Sequence, residues 1–222
     1  TWTYTYLIAD PSTKEAVLVD PVLEQVERDY KLLNELGLTL RYCLETHVHA
    51  DHVTGTGKLR ELTECQGFVP TDAQVDCANG FLKDGDVVKV GDVEIRAIAT
   101  LGHTDSHMAY LVNGTHLLTG DSLFIRGCGR TDFQSGDAGA MYDSIQRLFA
   151  LPDSTLVYPG HDYRGHTVST IAEEKQHNPR LLGRDRKQFI DFMNNLDLPN
   201  PKKIMEAVPA NERCGNIARV TQ

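Results

Sequence analysis

His47, His49, Asp51 and His52 fall within six residues, in the run Thr46-His47-Val48-His49-Ala50-Asp51-His52, directly after the apolar segment Tyr42-Cys43-Leu44. Each buried polar group left unpaired costs a fold about 1–3 kcal/mol. Four such groups on so short a stretch therefore demand a fold that ends a strand at a metal site. In a strand-to-loop segment, residues two apart point the same way. His47 and His49 can thus share one ion while Asp51 and His52 turn toward a neighbouring one.

Three further segments repeat one grammar, an apolar strand with a polar ligand at its end. They are Ile98-Ala99-Thr100-Leu101-Gly102-His103-Thr104, Leu117-Leu118-Thr119-Gly120-Asp121-Ser122 and Val157-Tyr158-Pro159-Gly160-His161-Asp162. A lone Gly-His-Thr or Gly-Asp-Ser is more often a turn or a cap. Read with the histidine run, the set supplies seven candidate ligands: His47, His49, Asp51, His52, His103, Asp121 and His161. Asp121 has two oxygens with which to bridge two ions. Imidazoles must be neutral and carboxylates ionised to bind, so occupancy should fall in acid. His107, His116, His166 and His177 lack this setting and are expected at the surface or beside the site.

The rest of the composition excludes more than it assigns. The 222 residues suit one large domain, and 41% hydrophobic with 24% charged residues can bury a core. A net charge of −9 without a basic stripe argues against nucleic acid. No apolar run approaches the ~18 residues of a membrane span. There is no secretory signal pattern, and a short piece is expected before Thr1, which already opens an apolar-rich stretch. Cys43, Cys65, Cys77, Cys128 and Cys214 are odd in number, scattered and without a C-x-x-C pair. The expectation is no disulfide framework and a reducing compartment.

Periodicity predicts strands over Thr3–Ile8, Ala16–Val19, Arg41–Glu45, Val87–Val90, Val93–Ala99, Met108–Val112, Thr115–Thr119 and Thr155–Tyr158. Gly91-Asp92 and Asn113-Gly114 read as hairpin turns. Helices are predicted over Val22–Leu36, stopping at Gly37, and over Ala138–Leu148, Thr167–His177 and Arg186–Leu196. Leu198-Pro199-Asn200-Pro201 reads as a turn into a tail. Strands grouped with outer helices point to a layered α/β sandwich.

The ordered set T-H-x-H-x-D-H, G-H-T, T-G-D and P-G-H resembles the metallo-β-lactamase superfamily, from about Thr3 to Asn178. That resemblance implies an αββα sandwich, here one domain over 1–222, with about 180–222 as a C-terminal helix and tail packed on it. Longer strings are similar to the persulfide dioxygenases. These are Asp121 to Gln134 (DSLFIRGCGRTDFQ), His161-Asp162-Tyr163, Asn178-Pro179-Arg180 and Val208 to Gly215 (VPANERCG). This closer resemblance implies one Fe(II) per chain on His47, His103 and Asp121. His49, Asp51, His52 and His161 then stand around the metal as orienting groups, with a neutral His49 or the Asp51/His52 pair holding water.

Two histidines and one carboxylate form the facial triad of non-haem iron oxygenases, which leaves one face open to persulfide and O2 together. The implied reaction is glutathione persulfide plus O2 and water giving glutathione and sulfite, in sulfide detoxification. Arg130, Tyr163 and Arg180 are the residues the resemblance offers for the tripeptide's carboxylates. Arg130 has a bland reading too, as a loop ion pair. Cys128 and Cys214 could exchange sulfur with substrate, although small half-buried residues are the plainer reading. The resemblance also implies a homodimer, a possible sulfurtransferase (rhodanese) partner, no membrane, and residence in bacterial cytoplasm or the mitochondrial matrix.

The competing enzyme is a glyoxalase II-type glutathione thioester hydrolase with two metals at the seven positions. Its loop after Asp121 differs, and the ~60 residues after His161 are short for an appended helical domain. A β-lactamase proper is disfavoured by the missing secretory signal, and a non-enzymatic metal-binding module by the completeness of the ligand set.

Overall fold

The computed structural model describes residues 2–199 and 203–216. Two sheets face each other. The first runs β1 (Tyr6–Ala9), β2 (Glu15–Val19), β3 (Thr39–Leu44), β4 (Gln66–Pro70) and β5 (Gly80–Leu82) in spatial order, antiparallel at β1–β2 and parallel thereafter. The second contains β6 (Val87–Val90), β7 (Val93–Ala99), β8 (Met108–Val112), β9 (His116–Gly120), β10 (Leu156–Pro159) and β11 (Ser169–Thr170), with spatial order reversed from β11 to β6.

Alternation along the strands explains the layering. On β2, Val17 and Val19 face the second sheet and meet Tyr110, Val112 and Leu118. Ala16 and Leu18 face outward, where α1 (Val26–Leu36) and α2 (Thr56–Thr63) cover them with Val26, Leu33 and Leu59. On the second sheet, Ala109, Leu111 and Leu117 face outward beneath α3 (Ala138–Phe149), α4 (Ile171–His177) and α5 (Arg186–Asn194). Each fully buried Leu, Ile or Phe contributes about 1.5–3 kcal/mol, so three apolar layers hold the predicted αββα sandwich.

The details that differ have local causes. The predicted helix from Val22 begins instead as a 3-10 turn at Leu23–Gln25, with Val22 extended. Leu23 N–H is bonded to Val53 O, which ties this backbone to the loop after His52. Ser169 and Thr170 pair with β10, so α4 starts only at Ile171, where the Thr170 hydroxyl caps Glu173 N–H. α2, β4, β5 and α6 (Ile204–Asn211) were not expected from periodicity. The C-terminal segment thus holds a second helix beyond the one expected. The Leu198–Pro201 turn lies partly outside the described residues.

Contrary to the expectation from cysteine spacing, Cys77 and Cys214 form a disulfide across 137 residues. Spacing carried no signal because the pair is made by tertiary convergence: Gly57 N–H bonds Cys214 O, and Arg60 bonds Cys77 O. The argument for a reducing compartment loses its basis with it.

Strand direction places the site. β7 and β9 both run antiparallel to β8, and β10 runs parallel to β9 with Pro159 beside Gly120. The loops after β7, β9 and β10 therefore leave at one edge, carrying His103, Asp121 and His161. β3 delivers His47 to the same edge from the facing sheet.

Candidate metal centre

The structure brings His47, His103 and Asp121 together, with one ligand atom of each lying within 4.8 Å of the others. The tautomers follow from the hydrogen bonds. Thr46 Oγ1 donates its one proton to Asp20 Oδ2 at 2.8 Å, so in its 2.9 Å contact with His47 Nδ1 the imidazole donates. His103 Nδ1 lies 2.8 Å from Arg130 O, a carbonyl that can only accept. Both rings therefore present Nε2, not Nδ1, to the centre. Asp121 Oδ1 is buried and has no protein partner. Burial, with His49 and His103 nearby, keeps His47 neutral well below the usual imidazole range. Two imidazoles engaged through Nδ1 and a carboxylate with one orphaned oxygen make a donor set that fits a divalent transition metal.

His49, Asp51 and His52 form a second group. His52 Nδ1 stands 3.1 Å from Asp51 Oδ2, while His161 Nε2 stands 3.4 Å from Asp121 Oδ2 and 3.6 Å from Asp51 Oδ2. Burial opposes a charge on Asp51, yet the hydrogen bond to His52, with His52 and His161 close by, holds it ionised far below the carboxylate range. His49 departs from the neutral water-holder of the sequence reading. Its Nε2 is bonded to Asp20 Oδ1 at 3.0 Å. Burial disfavours its charge, but Asp20 and Glu45 overcome this and raise it well above the imidazole range. A protonated imidazole has no lone pair for a metal.

Asp20 is a residue that sequence reasoning missed. It is buried at the end of β2 in a left-handed conformation (φ 51°), and its carboxylate also accepts Thr46 N–H at 2.7 Å. Its signal was available, since Val19-Asp20 has the same strand-then-ligand grammar as the ligand segments. His107 takes the second of its two expected places, beside the site and not at the surface. It is wholly buried, and its Nε2 accepts Asp121 N–H at 3.0 Å while Nδ1 meets Thr100 Oγ1 at 2.8 Å. Burial, then His103, push it down to about 3, so it stays neutral. Gly120 makes room for this ring: at φ +51°, a Cβ there would meet His107 Nε2 at 2.7 Å.

The longer strings also acquire physical reasons. Asn211 Nδ2 donates to His49 O and His52 O at 2.9 and 2.8 Å, so the C-terminal helix braces the histidine run. Asn178, fully buried, donates to Gly127 O at 3.0 Å, and Glu174 accepts Arg126 N–H at 2.8 Å while pairing with its guanidinium. These bonds hold the 124–127 hairpin against the metal site.

A cavity of about 620 Å³ opens beside Asp121 and is lined by His103, Phe124, Arg130, His161, Tyr163 and Arg180, among others. Tyr163 stacks on His161 with 5.9 Å between ring centres. Burial, then Asp121 and Asp51, push its phenol up to about 12, which leaves a neutral O–H donor. Arg130 is bonded through Nε and Nη2 to Asp132 at 2.6 and 2.7 Å and through Nη1 to Pro199 O at 2.7 Å. Arg180 touches Met193 Sδ at 3.6 Å and leans on Phe192, with no carboxylate on its guanidinium among the described residues. Arg164, not singled out from sequence, lines the same cavity. Cys128 is buried on the cavity wall, and burial pushes its thiol up to about 12, which suits the packing reading. No described helix is long and apolar enough to cross a membrane.

Residues 3–161 match the family model of the metallo-β-lactamase superfamily. The chain is 49% identical over 218 residues to the mitochondrial persulfide dioxygenase ETHE1 of Mus musculus, covering 96% of this chain and 84% of that one. The crystal structure of ETHE1 from Myxococcus xanthus superposes with a TM-score of 0.94 at 55% identity, covering 97% of this chain and 95% of that one. The hydroxyacylglutathione hydrolase of Rhodospirillum rubrum is more distant, 37% identical over 184 residues, with 82% of this chain and 70% of that one covered.

Proposed function

Because this chain belongs to the metallo-β-lactamase superfamily and, within it, to the persulfide dioxygenases, we propose that His47, His103 and Asp121 hold a single Fe(II) for that reaction. The protein oxidises the sulfane sulfur of glutathione persulfide with O2 to sulfite and releases glutathione. The observation that carries the metal assignment is the convergence of His47, His103 and Asp121, one ligand atom of each within 4.8 Å of the others, with both imidazoles engaged through Nδ1. Bound iron supplies the redox chemistry with O2 that no side chain has.

The remaining residues position and bind. The Asp20–Thr46 pair fixes His47, Arg130 O fixes His103, and His107 holds the Asp121 backbone. His49, locked on Asp20, and the Asp51/His52 pair border the centre without entering the triad. Tyr163 offers its O–H, and Arg180 its guanidinium, to the tripeptide's carboxylates. Arg130 joins them through the one N–H left over from Asp132, Leu198 and Pro199. Holding the terminal sulfur beside the centre is a positioning task, worth several orders of magnitude in rate.

One observation favours a second reading, the two-metal thioester hydrolase: His161 Nε2 sits between the carboxylates of Asp121 and Asp51. Iron and zinc are counted per chain, then O2 uptake with glutathione persulfide is compared with hydrolysis of a glutathione thioester. One iron with O2 uptake is expected. Two zinc ions with thioester turnover and no O2 uptake overturn it.

We further propose that residues 1–222 form one domain, with the C-terminal helices integral to it. α5 packs Phe189 and Met193 into the core beneath the second sheet, and Asn211 of α6 braces the site. A homodimer, a sulfurtransferase partner, and residence in bacterial cytoplasm or the mitochondrial matrix complete the proposal by likeness to the relatives. A single molar mass for the monomer in solution would remove the first of these.

A further inference from the structure

Outside the metal site, the described residues contain one pair of free thiols in contact: Cys43 Sγ and Cys65 Sγ lie 3.7 Å apart. Cys43, on β3, is fully buried. Cys65, just before β4, lines a second cavity of about 610 Å³ together with Arg60, Cys77 and Cys214. The two thiols are unlike. The contact with Cys43, then Thr63 and the Arg60 guanidinium, bring Cys65 below the usual thiol range despite burial, while Cys43 is pushed well above it. Cys65 thus faces the cavity, and Cys43 stands fully buried 3.7 Å away from it.

We propose that Cys65 is a second acceptor of sulfane sulfur, from a small persulfide or polysulfide entering that cavity, with Cys43 as its resolving thiol. Cys65 Sγ attacks the terminal sulfur of R–S–SH. A new S–S bond forms on Cys65, the S–S bond of R–S–SH breaks, and RS⁻ leaves as RSH after taking up the proton that the Cys65 thiol gave up. Cys43 Sγ then attacks Cys65 Sγ, the outer sulfur departs as sulfide, and a Cys43–Cys65 disulfide remains. In sum, two thiols and one persulfide give one disulfide, RSH and hydrogen sulfide. The thiols lose two electrons and the sulfane sulfur gains them, so no other oxidant is needed. The short reach between the two sulfurs makes the second step intramolecular and fast relative to escape of the persulfide.

The site is independent of iron, so the test runs on the full metal-loaded chain without O2, where the dioxygenase is idle. Anaerobic protein is treated with inorganic polysulfide, then unfolded in iodoacetamide, and its peptides are weighed. Wild type should lose two of its three alkylatable thiols, release one sulfide per chain and yield a linked Cys43–Cys65 peptide pair. Cys43→Ser should stop at a Cys65 peptide heavier by one sulfur. Cys65→Ser should leave Cys43 fully alkylatable. Wild type that keeps all three thiols, or that takes up sulfur only on Cys128, overturns the proposal. The wild-type result alone decides this if a buried serine prevents folding of a variant.

Discussion

Thr46 donates to Asp20 and accepts from His47, so a carboxylate that follows β2 sets the tautomer of an imidazole that follows β3. Thr46→Val keeps the shape and removes the hydroxyl. His47 Nδ1 and Asp20 Oδ2 then lose a partner each. Iron affinity should fall about 10- to 100-fold, the usual cost of losing a bond behind a metal ligand. Competition against a graded chelator series measures it, with Thr46→Ser near wild type. Unchanged iron retention in the valine variant would show that the tautomer is set elsewhere.

Single replacements separate the triad from its neighbours. His103→Ala should bring iron from one per chain to near none and abolish O2 uptake. His52→Ala should keep the iron and lose turnover only in part. Elemental analysis of both proteins gives the answer, and a fall in metal count for His52→Ala would revive the two-metal reading.

Arg180 faces the cavity with its guanidinium uncommitted to a carboxylate, and a charge-assisted bond there is worth about 1.5–3 kcal/mol. Arg180→Ala should raise KM for glutathione persulfide roughly tenfold or more at little cost in kcat. A persulfide of a small uncharged thiol should not feel the change. Arg130→Ala should show a smaller preference between the two substrates, because Asp132 and Pro199 already occupy most of its fork.

Acid should act through His107. Its ordinary value of 6.5 falls to about 3 in the folded chain. A depressed imidazole leaves the unfolded state binding more protons, so its contribution is complete above 6.5 and is lost as pH falls toward 3. The loss approaches about 1.4 kcal/mol per pH unit inside that window. Urea midpoints of the chelated protein between pH 7 and pH 4 should drop more steeply for wild type than for His107→Gln. Parallel slopes would remove His107 as the cause.

Phe189, fully buried on α5, packs against Tyr142 of α3 at 5.5 Å between ring centres. Phe189→Ala should cost about 3–5 kcal/mol and lower a single cooperative melting transition. A separate early transition of the C-terminal helices would count against one domain.

Much of this was legible from residue order. Val93 and Ile95 alternate with polar neighbours and stop at Gly91-Asp92, so β7 was found with its bounds intact. The four segments that converge at the candidate centre were legible because each pairs an apolar strand with a polar end. α2 was not, since Thr56, Gly57 and Thr63 favour no helix. It is held by tertiary bonds such as Thr56 Oγ1 to Glu45 and Gly57 N–H to Cys214 O. Pro209 hid α6 in the same way. Asp20, His107 and the Cys77–Cys214 bond act between segments far apart in sequence, and no local pattern encodes distance across two sheets.

The ligands come from both halves of the sandwich, His47 from the sheet of β3 and His103 and Asp121 from the sheet of β7 and β9. An ion held between them is a rivet through two plates. A chain synthesised while iron is scarce would be catalytically idle and also loose at one edge, open to proteases that the riveted form resists. Metal supply would then set how long each molecule survives as well as how fast it works.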